Sequence, residues 1–173
     1  MGQNSAFLIP FAGLKNEIHH FEFKLTNKFF EGFSYFDFIK SNIKVDLIFE
    51  KKVNMLELNF KATGYVNVPC DLSMEPFNLS IDSDFHLVVK FGNSNFEKND
   101  ELLILPHGAY KIDVAHYIYE MVVLAIPHKK VHPSVIDGTL KSEILQKLKE
   151  LEPDKKQVSE LTDPRWDKLR DLL

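Results

Sequence analysis

The chain contains a single cysteine, Cys70, and its surroundings are the part of the sequence closest to a known chemical motif. Cys70 closes a strand-like run that begins at Gly64. A metal-binding C-x-x-C motif would place its second thiolate three residues later, where this chain has Ser73. One thiolate is only part of a zinc-binding set. We therefore expect a protein that presents a surface, and not one that works by metal chemistry.

The residue patterns of common enzyme classes are missing from the sequence. There is no phosphate-binding glycine loop, no H-E-x-x-H, no G-x-S-x-G and no C-x-x-C. The neighbours His19 and His20 lie on a predicted strand, so their side chains point to opposite faces and cannot form one site. Since no candidate nucleophile has a base beside it, we predict that the protein is not an enzyme and needs no cofactor.

Length and composition fit one domain with a tail. The 173 residues, 45% of them apolar, suffice for one hydrophobic core but are few for two independent domains. A single cysteine cannot form an internal disulfide, and the first residues lack the basic and apolar regions of a secretory signal. The apolar stretch at residues 121–127 is far shorter than a membrane-spanning helix of roughly 20 residues. We expect a cytoplasmic protein that does not engage a membrane.

Charge is unevenly distributed along the chain. Residues 1–126 carry 11 Lys and Arg against 16 Asp and Glu, whereas residues 127–173 carry 10 against 9. Only Arg165 and Arg170 are arginines, the side chain best suited to forked contacts with phosphate or guanine. The composition therefore disfavours dense direct contact with nucleic acid.

Alternation of polar and apolar residues predicts that most of the body is strand. The predicted strands are 17–25, 43–50, 55–62, 65–70, 77–81 and 85–91, the last two separated by a bend at 82–84 or joined in one bulged strand. Residues 26–38 are dense in aromatics and predict a short helix and a loop that fill the core beneath the sheet. Base stacking by those aromatics is the alternative.

Helical spacing takes over after residue 112. The apolar pattern predicts a helix over 113–126, packed on the sheet with Asp113 as its N-cap. A loop then leads to an amphipathic helix marked by Leu140, Ile144, Leu148 and Leu151, and Asp163 and Pro164 begin a last short helix. The predicted fold class is α+β, with an antiparallel sheet or partly open barrel. The body spans 1–126, and the helical tail at 127–173 is part of the same domain or semi-independent.

Four segments follow one another in a characteristic order. They are residues 11–15, Cys70-Asp71 after a strand, the helix that runs from Asp113 through Tyr119 to Pro127, and Pro164-Arg165-Trp166 near the end. Together they resemble the YceD family, the large ribosomal RNA subunit accumulation proteins. The resemblance implies a small bacterial factor needed for normal accumulation or processing of large-subunit ribosomal RNA, with no established catalytic activity.

The chain departs from this family at its cysteines. Many members carry C-x-x-C near the position of Cys70 and further cysteines after the proline that aligns with Pro127, a pattern that resembles a zinc site. This chain has no thiol after Pro127. A reduced metal site is one interpretation, with the candidate ligands Cys70, Asp71, His128 and His132. We favour the other, a buried cysteine with two solvated histidines and no bound metal.

Two kinds of partner remain open. Large-subunit ribosomal RNA would meet the positive residues after Pro127, which are His128, Lys129, Lys130 and His132, followed by Lys141, Lys147 and Lys149. A basic ribosomal protein would instead meet the acidic body, since opposite charges steer encounter. The alternatives are an adaptor that never touches RNA and a residual metal-binding module. The residues of the family motifs, together with the candidate partner contacts, are Cys70, Asp71, Asp113, Tyr119, Pro127, Lys129, Lys130, Pro164, Arg165 and Trp166.

Overall fold

The computed structural model describes residues 4–33, 36–92, 101–140 and 143–151. In these residues a 3-10 turn at Asn4–Phe7 is followed by strands and α-helices. The strands are β1 (Leu8–Ile9), β2 (Ile18–Leu25), β3 (Lys40–Lys51), β4 (Met55–Pro69), β5 (Pro76–Phe91), β6 (Leu102–Leu105) and β7 (Ile112–Asp113). The helices are α1 (Asn27–Phe30), α2 (Ala115–Leu124), α3 (Pro133–Ile136) and α4 (Glu143–Leu151).

Five strands form the main sheet in the order β2-β3-β4-β5-β6, and β1 pairs with β7 in a separate two-stranded sheet. Neighbours in the main sheet are antiparallel, except that β6 runs parallel to β5. The sheet ends at β2 and β6 and does not close into a barrel. The predicted α+β class with an antiparallel sheet is therefore confirmed in its open form.

β4 is one strand where the sequence predicted two. It pairs with β3 and β5 along its length. Ala62 and Val66 are both buried, two residues before and two residues after Gly64. The same set of alternate residues therefore faces the core on both sides of the glycine. Gly64 has a φ of +152°, and a Cβ there would lie 2.3 Å from the carbonyl oxygen of Asn42. The glycine thus marks a close approach of two backbones within the sheet, and not the end of a strand.

β5 is also a single strand. Its register with β4 runs without interruption from the pair Met55 and Lys90 to the pair Pro69 and Pro76. An extra residue would break this register, so neither the predicted bend at 82–84 nor the alternative bulge is present. The hairpin of β4 and β5 is the longest strand pair in the described part of the chain.

The core lies on one face of the sheet, which α1 and α2 cover. α1 contacts β2 and β3, whereas α2 contacts β4 and β5. Phe30 of α1 is fully buried, and its ring meets that of Phe38 edge-on at 4.8 Å. Phe30 and Phe38 of the aromatic-rich segment therefore contribute to the core, as predicted, whereas Phe36 of the same segment is exposed.

α2 begins two residues later than predicted, and its N-cap position is Val114, not Asp113. Asp113 is extended and pairs with Leu8 between β7 and β1. Its carboxylate nevertheless accepts a hydrogen bond from the backbone N–H of Ala115, at 2.9 Å. Asp113 thus caps one unpaired N–H group of the first turn although it lies one residue before the N-cap position. Its backbone is held there by the pairing of β7 with β1.

The segment 11–15 is held by Lys51, a residue that no sequence pattern singled out. The ammonium group of Lys51, at the end of β3, donates to the carbonyl oxygens of Phe11 at 2.9 Å and Leu14 at 2.7 Å. Charge-assisted hydrogen bonds of this kind are stronger than neutral ones. Lys51 therefore ties the N-terminal chain to the sheet.

The chain divides into two compact units, Met1–His132 and Pro133–Leu173. The first unit runs beyond residue 126, where the sequence placed the end of the body. The second contains α3 and α4. α4 carries Ile144, Leu148 and Leu151 of the predicted apolar stripe, whereas Leu140 lies before the helix. The predicted last helix, with Pro164, Arg165 and Trp166, lies outside the described residues. Within the described residues, the helices are all too short or too polar to span a membrane.

Replacing Gly64 should test the close approach inside the sheet. We expect Gly64→Ala to lower the free energy of unfolding by at least about 2 kcal/mol, because the new methyl group meets backbone and the φ value disfavours a side chain. Gly13→Ala is the matched control, since a Cβ there has nothing within 4 Å. Urea denaturation measures both variants, and equal effects would contradict this account of Gly64.

Candidate functional site

The turn at residues 70–75, here called the Cys70 turn, joins β4 to β5. The N–H of Cys70 donates to the carbonyl of Glu75 at 2.9 Å, and the N–H of Met74 donates back to the carbonyl of Cys70 at 2.9 Å. Met74 has a φ of 62°, a left-handed conformation that is rare for a residue with a side chain. The tight turn places the buried side chains of Cys70 and Ser73 on its inner side.

Residues 127–132, the pinned segment, follow α2 and are bound to the Cys70 turn through their backbone. The N–H of Asp71 donates to the carbonyl of Lys130 at 2.8 Å, and the N–H of Lys130 donates to the carboxylate of Asp71 at 2.6 Å. The N–H of His132 donates to the sulfur of Cys70 at 3.3 Å. Three hydrogen bonds thus connect the turn to the segment that leaves α2.

Lys130 is also engaged through its side chain. Its ammonium group is paired with the carboxylate of Asp37, which precedes β3, and the residue is only 9% exposed. Sequence gave no signal for Asp37, which lies 93 residues away. Lys130 therefore does not join His128 and Lys129 in one exposed positive surface, because its charge is turned inward and compensated by Asp37.

The electrostatics of Cys70 depend on these hydrogen bonds. Burial raises the pKa of the Cys70 thiol, because a thiolate is poorly solvated in the interior. Hydrogen bonds from the Ser73 side chain and from the backbone N–H groups of His132, Ser73 and Leu72 favour the thiolate more strongly, and the pKa falls from 9.0 to about 7. Ser73 occupies the position of the second thiol in a C-x-x-C motif. Its hydroxyl thus stabilises negative charge on the sulfur of Cys70.

The four candidate metal ligands do not converge. His132 approaches Cys70 with its backbone, while its imidazole ring lies edge-on to Phe77 at 5.3 Å. The carboxylate of Asp71 is occupied by the N–H of Lys130. Among the residues that the structure describes, no group of three or more His, Cys, Asp or Glu side chains could hold a metal ion. The absence of a bound metal remains a prediction.

The other motif residues lie on or near α2. The ring of Tyr119 stacks on that of Phe33 at 4.1 Å and is nearly parallel to it. His116, one turn before Glu120, forms an ion pair with it at 2.9 Å when protonated. Pro127 is exposed where the pinned segment begins. Asp113 therefore holds the start of α2 at β7, and Tyr119, near the middle of α2, packs against the loop after α1.

Removing the carboxylate of Asp71 should loosen the pinned segment. We expect Asp71→Ala to lower the free energy of unfolding by about 1 kcal/mol, the usual value of one such hydrogen bond, and to speed exchange of the Lys130 amide. Hydrogen exchange followed residue by residue checks both effects. Glu75→Ala is the control, since Glu75 is exposed in the same turn. Similar behaviour of the two variants would contradict a role of the carboxylate.

Cys70 should titrate near pH 7, and Ser73→Ala should move its pKa upward, while Ser80→Ala should not. Thiolate absorbance follows the titration of this lone cysteine. Since the pKa of Cys70 in the folded state is below its ordinary value of 9.0, unfolding takes up a proton between these two pH values. Stability should therefore rise with pH from about 7 to about 9 in the wild type, relative to Cys70→Ala. A thiol that stays protonated at pH 8 would overturn this prediction.

Comparison with known families gives one match. A family model described as "Large ribosomal RNA subunit accumulation protein YceD" matches residues 58–173, which is more than half of the chain. The match begins within β4 and includes the Cys70 turn, α2 and the pinned segment, whereas residues 11–15 lie outside it. Comparisons with curated proteins and with solved structures gave no match. The chain therefore belongs to the YceD family of large ribosomal RNA subunit accumulation proteins.

Proposed function

We propose that the protein is a non-catalytic factor that supports accumulation and assembly of the large ribosomal subunit by binding a basic ribosomal protein. Membership of the YceD family supports the link to large-subunit ribosomal RNA. The mode of action rests on one observation in the structure. Lys130, the centre of the predicted RNA-binding cluster, is buried and paired with Asp37.

Charge supports a protein partner. Residues 1–126 have five more acidic than basic residues, 16 against 11. A negative surface attracts a basic protein and repels the phosphate backbone of RNA. Ribosomal proteins are rich in lysine and arginine because they contact RNA, so an acidic factor could hold one of them before it reaches its site. This activity would place the protein in the cytoplasm.

Direct RNA contact is the second candidate. Lys129 is exposed next to His128, and Lys147 is exposed on α4. Each lysine that neutralises a phosphate adds affinity without sequence specificity, and salt weakens such contacts. We prefer the protein partner because residues 1–126 carry more acidic than basic residues and Lys130 is buried.

The proposal includes no chemical step. Cys70 is the strongest nucleophile in the described chain, but it is fully buried and is surrounded by hydrogen-bond donors and not by a general base. The turn and the pinned segment instead have a structural role, since they connect the β4–β5 hairpin to the end of α2. Their contribution to function would be to fix the surface that the partner meets.

Deletion of the gene should lower the amount of large-subunit ribosomal RNA relative to small-subunit RNA, measured on a sucrose-gradient profile. We expect the wild-type gene to restore the profile. A variant with both Lys129→Ala and Lys147→Ala should restore it equally well, because these lysines are not needed for a protein partner. A normal profile in the deletion strain would contradict the proposed function.

A binding titration separates the two partners. We expect purified large-subunit ribosomal RNA not to bind at about 0.15 M salt, where exposed charges are already screened beyond about 8 Å. A mixture of large-subunit ribosomal proteins should form a complex with the chain that high salt dissolves. If RNA alone binds and Lys129→Ala with Lys147→Ala abolishes that binding, the protein-partner mode is wrong and the RNA mode replaces it.

A further inference from the structure

The edge of β5 is open over most of its length. β5 pairs with β4 from Pro76 to Lys90, but on its other side the short strand β6 covers only Val88–Phe91. In the described part of the chain no strand pairs with residues 76–87 on that side. An exposed strand edge of this length presents a row of unpaired backbone groups that can accept another strand.

Backbone direction identifies the residues of this open edge. The N–H groups of Val88 and Gly92 donate to Glu101 and Leu105, so even-numbered residues of β5 direct their backbone groups away from β4. Because the register is uninterrupted, the same holds for the preceding even-numbered positions. These are Asn78, Ser80, Asp82, Asp84 and His86, and all five are exposed.

The inner face of the sheet is incompletely covered along this edge. Leu79, Ser83 and Phe85 of β5 are only half-buried, whereas their counterparts on β3 and β4 are buried. Phe85 stacks on Tyr117 of α2, with 6.2 Å between ring centroids. A strand added beside β5 would place alternate side chains next to these two rings and would remove their apolar surface from water.

Charge identifies the kind of strand that fits. Residues 77–87 contain Asp82 and Asp84 but no lysine or arginine. Lys61 lies across from Asp84 on β4, yet no ion pair within 4 Å joins these two described residues. Two copies of this edge paired about Asp82 would bring like charges together, which disfavours a dimer formed through the edge. A basic strand would be attracted.

We propose that the open edge of β5, residues 78–86, binds an extended basic segment of a partner protein as an added strand. Backbone hydrogen bonds supply the binding energy. Lysine or arginine side chains of the segment lie beside Asp82 and Asp84, and alternate apolar side chains lie beside Phe85 and Tyr117. The proposal deepens the proposed function by naming the surface that a basic ribosomal protein would occupy, and it rests on that function for the identity of the partner.

A labelled peptide of about nine residues with alternating lysine and valine is a suitable probe, since its length matches the edge. Fluorescence polarisation with the full chain should detect binding. Residue-resolved hydrogen exchange should show new protection at the amides of Ser80, Asp82, Asp84 and His86. The same peptide with methylated backbone nitrogens at alternate residues should not bind, because it cannot donate to the edge.

Two variants of the chain test the edge itself. Ser80→Pro removes one outward N–H, leaves the bonds to β4 intact and should abolish binding, whereas Ser80→Ala should not change it. Asp82→Asn with Asp84→Asn should weaken binding about tenfold. Glu17→Gln with Glu31→Gln is the matched control, since it removes the same charge from exposed positions elsewhere. The charge variant keeps the test decisive if the proline variant does not fold.

Three results with the peptides would overturn the inference. They are failure of the alternating peptide to bind, equal binding of the methylated peptide, and binding without protection of the four amides. Protection of those amides by large-subunit ribosomal RNA in place of the peptide would also overturn it. The gene deletion tests the proposed function separately. If the deletion strain has the expected phenotype and the Ser80→Pro variant fully restores the normal profile, the proposed function is correct but the edge is not its binding surface.

Discussion

The register of the β4–β5 hairpin is the constraint on which the rest of the structure depends. Because the two strands alternate in phase from end to end, one face of the hairpin receives α2 and the other stays in solvent. The same register determines the position of the Cys70 turn at one end of the hairpin. A slip by one residue would reverse both faces, so the apolar inner positions also hold the turn in place.

Hydrogen bonds at Cys70 connect two segments of chain, as a metal ion does in a cysteine-rich site. Backbone N–H groups from both sides of the junction point at one sulfur, and a serine hydroxyl adds a further donor. These donors would stabilise a thiolate whether or not a cation is present. Ser73 contributes one of these donors, and the carboxylate of Asp71 adds a separate hydrogen bond to the backbone of the pinned segment.

Local pattern predicted β2 to β5, α2 and the amphipathic helix, because alternation and helical spacing are properties of neighbouring residues. It predicted no strand at β1 or β7, which have two residues each and are too short to show alternation. It divided β4 at Gly64, since glycine within a strand resembles a turn until the opposing backbone is known. It could not predict the ion pair of Lys130 with Asp37 or the hydrogen bond from Lys51 to the carbonyl of Phe11. Both contacts join distant segments, and charge alone does not choose between partners.

The contacts of the pinned segment close long loops of chain. Lys130 meets Asp71 across 59 residues and Asp37 across 93. The entropy lost on closing such loops makes these contacts unfavourable until the intervening strands have paired. During synthesis the Cys70 turn is complete long before residues 127–132 leave the ribosome. The junction therefore cannot form until the pinned segment has been synthesised, and a chain interrupted before α2 would leave the sulfur of Cys70 without its backbone donor from His132.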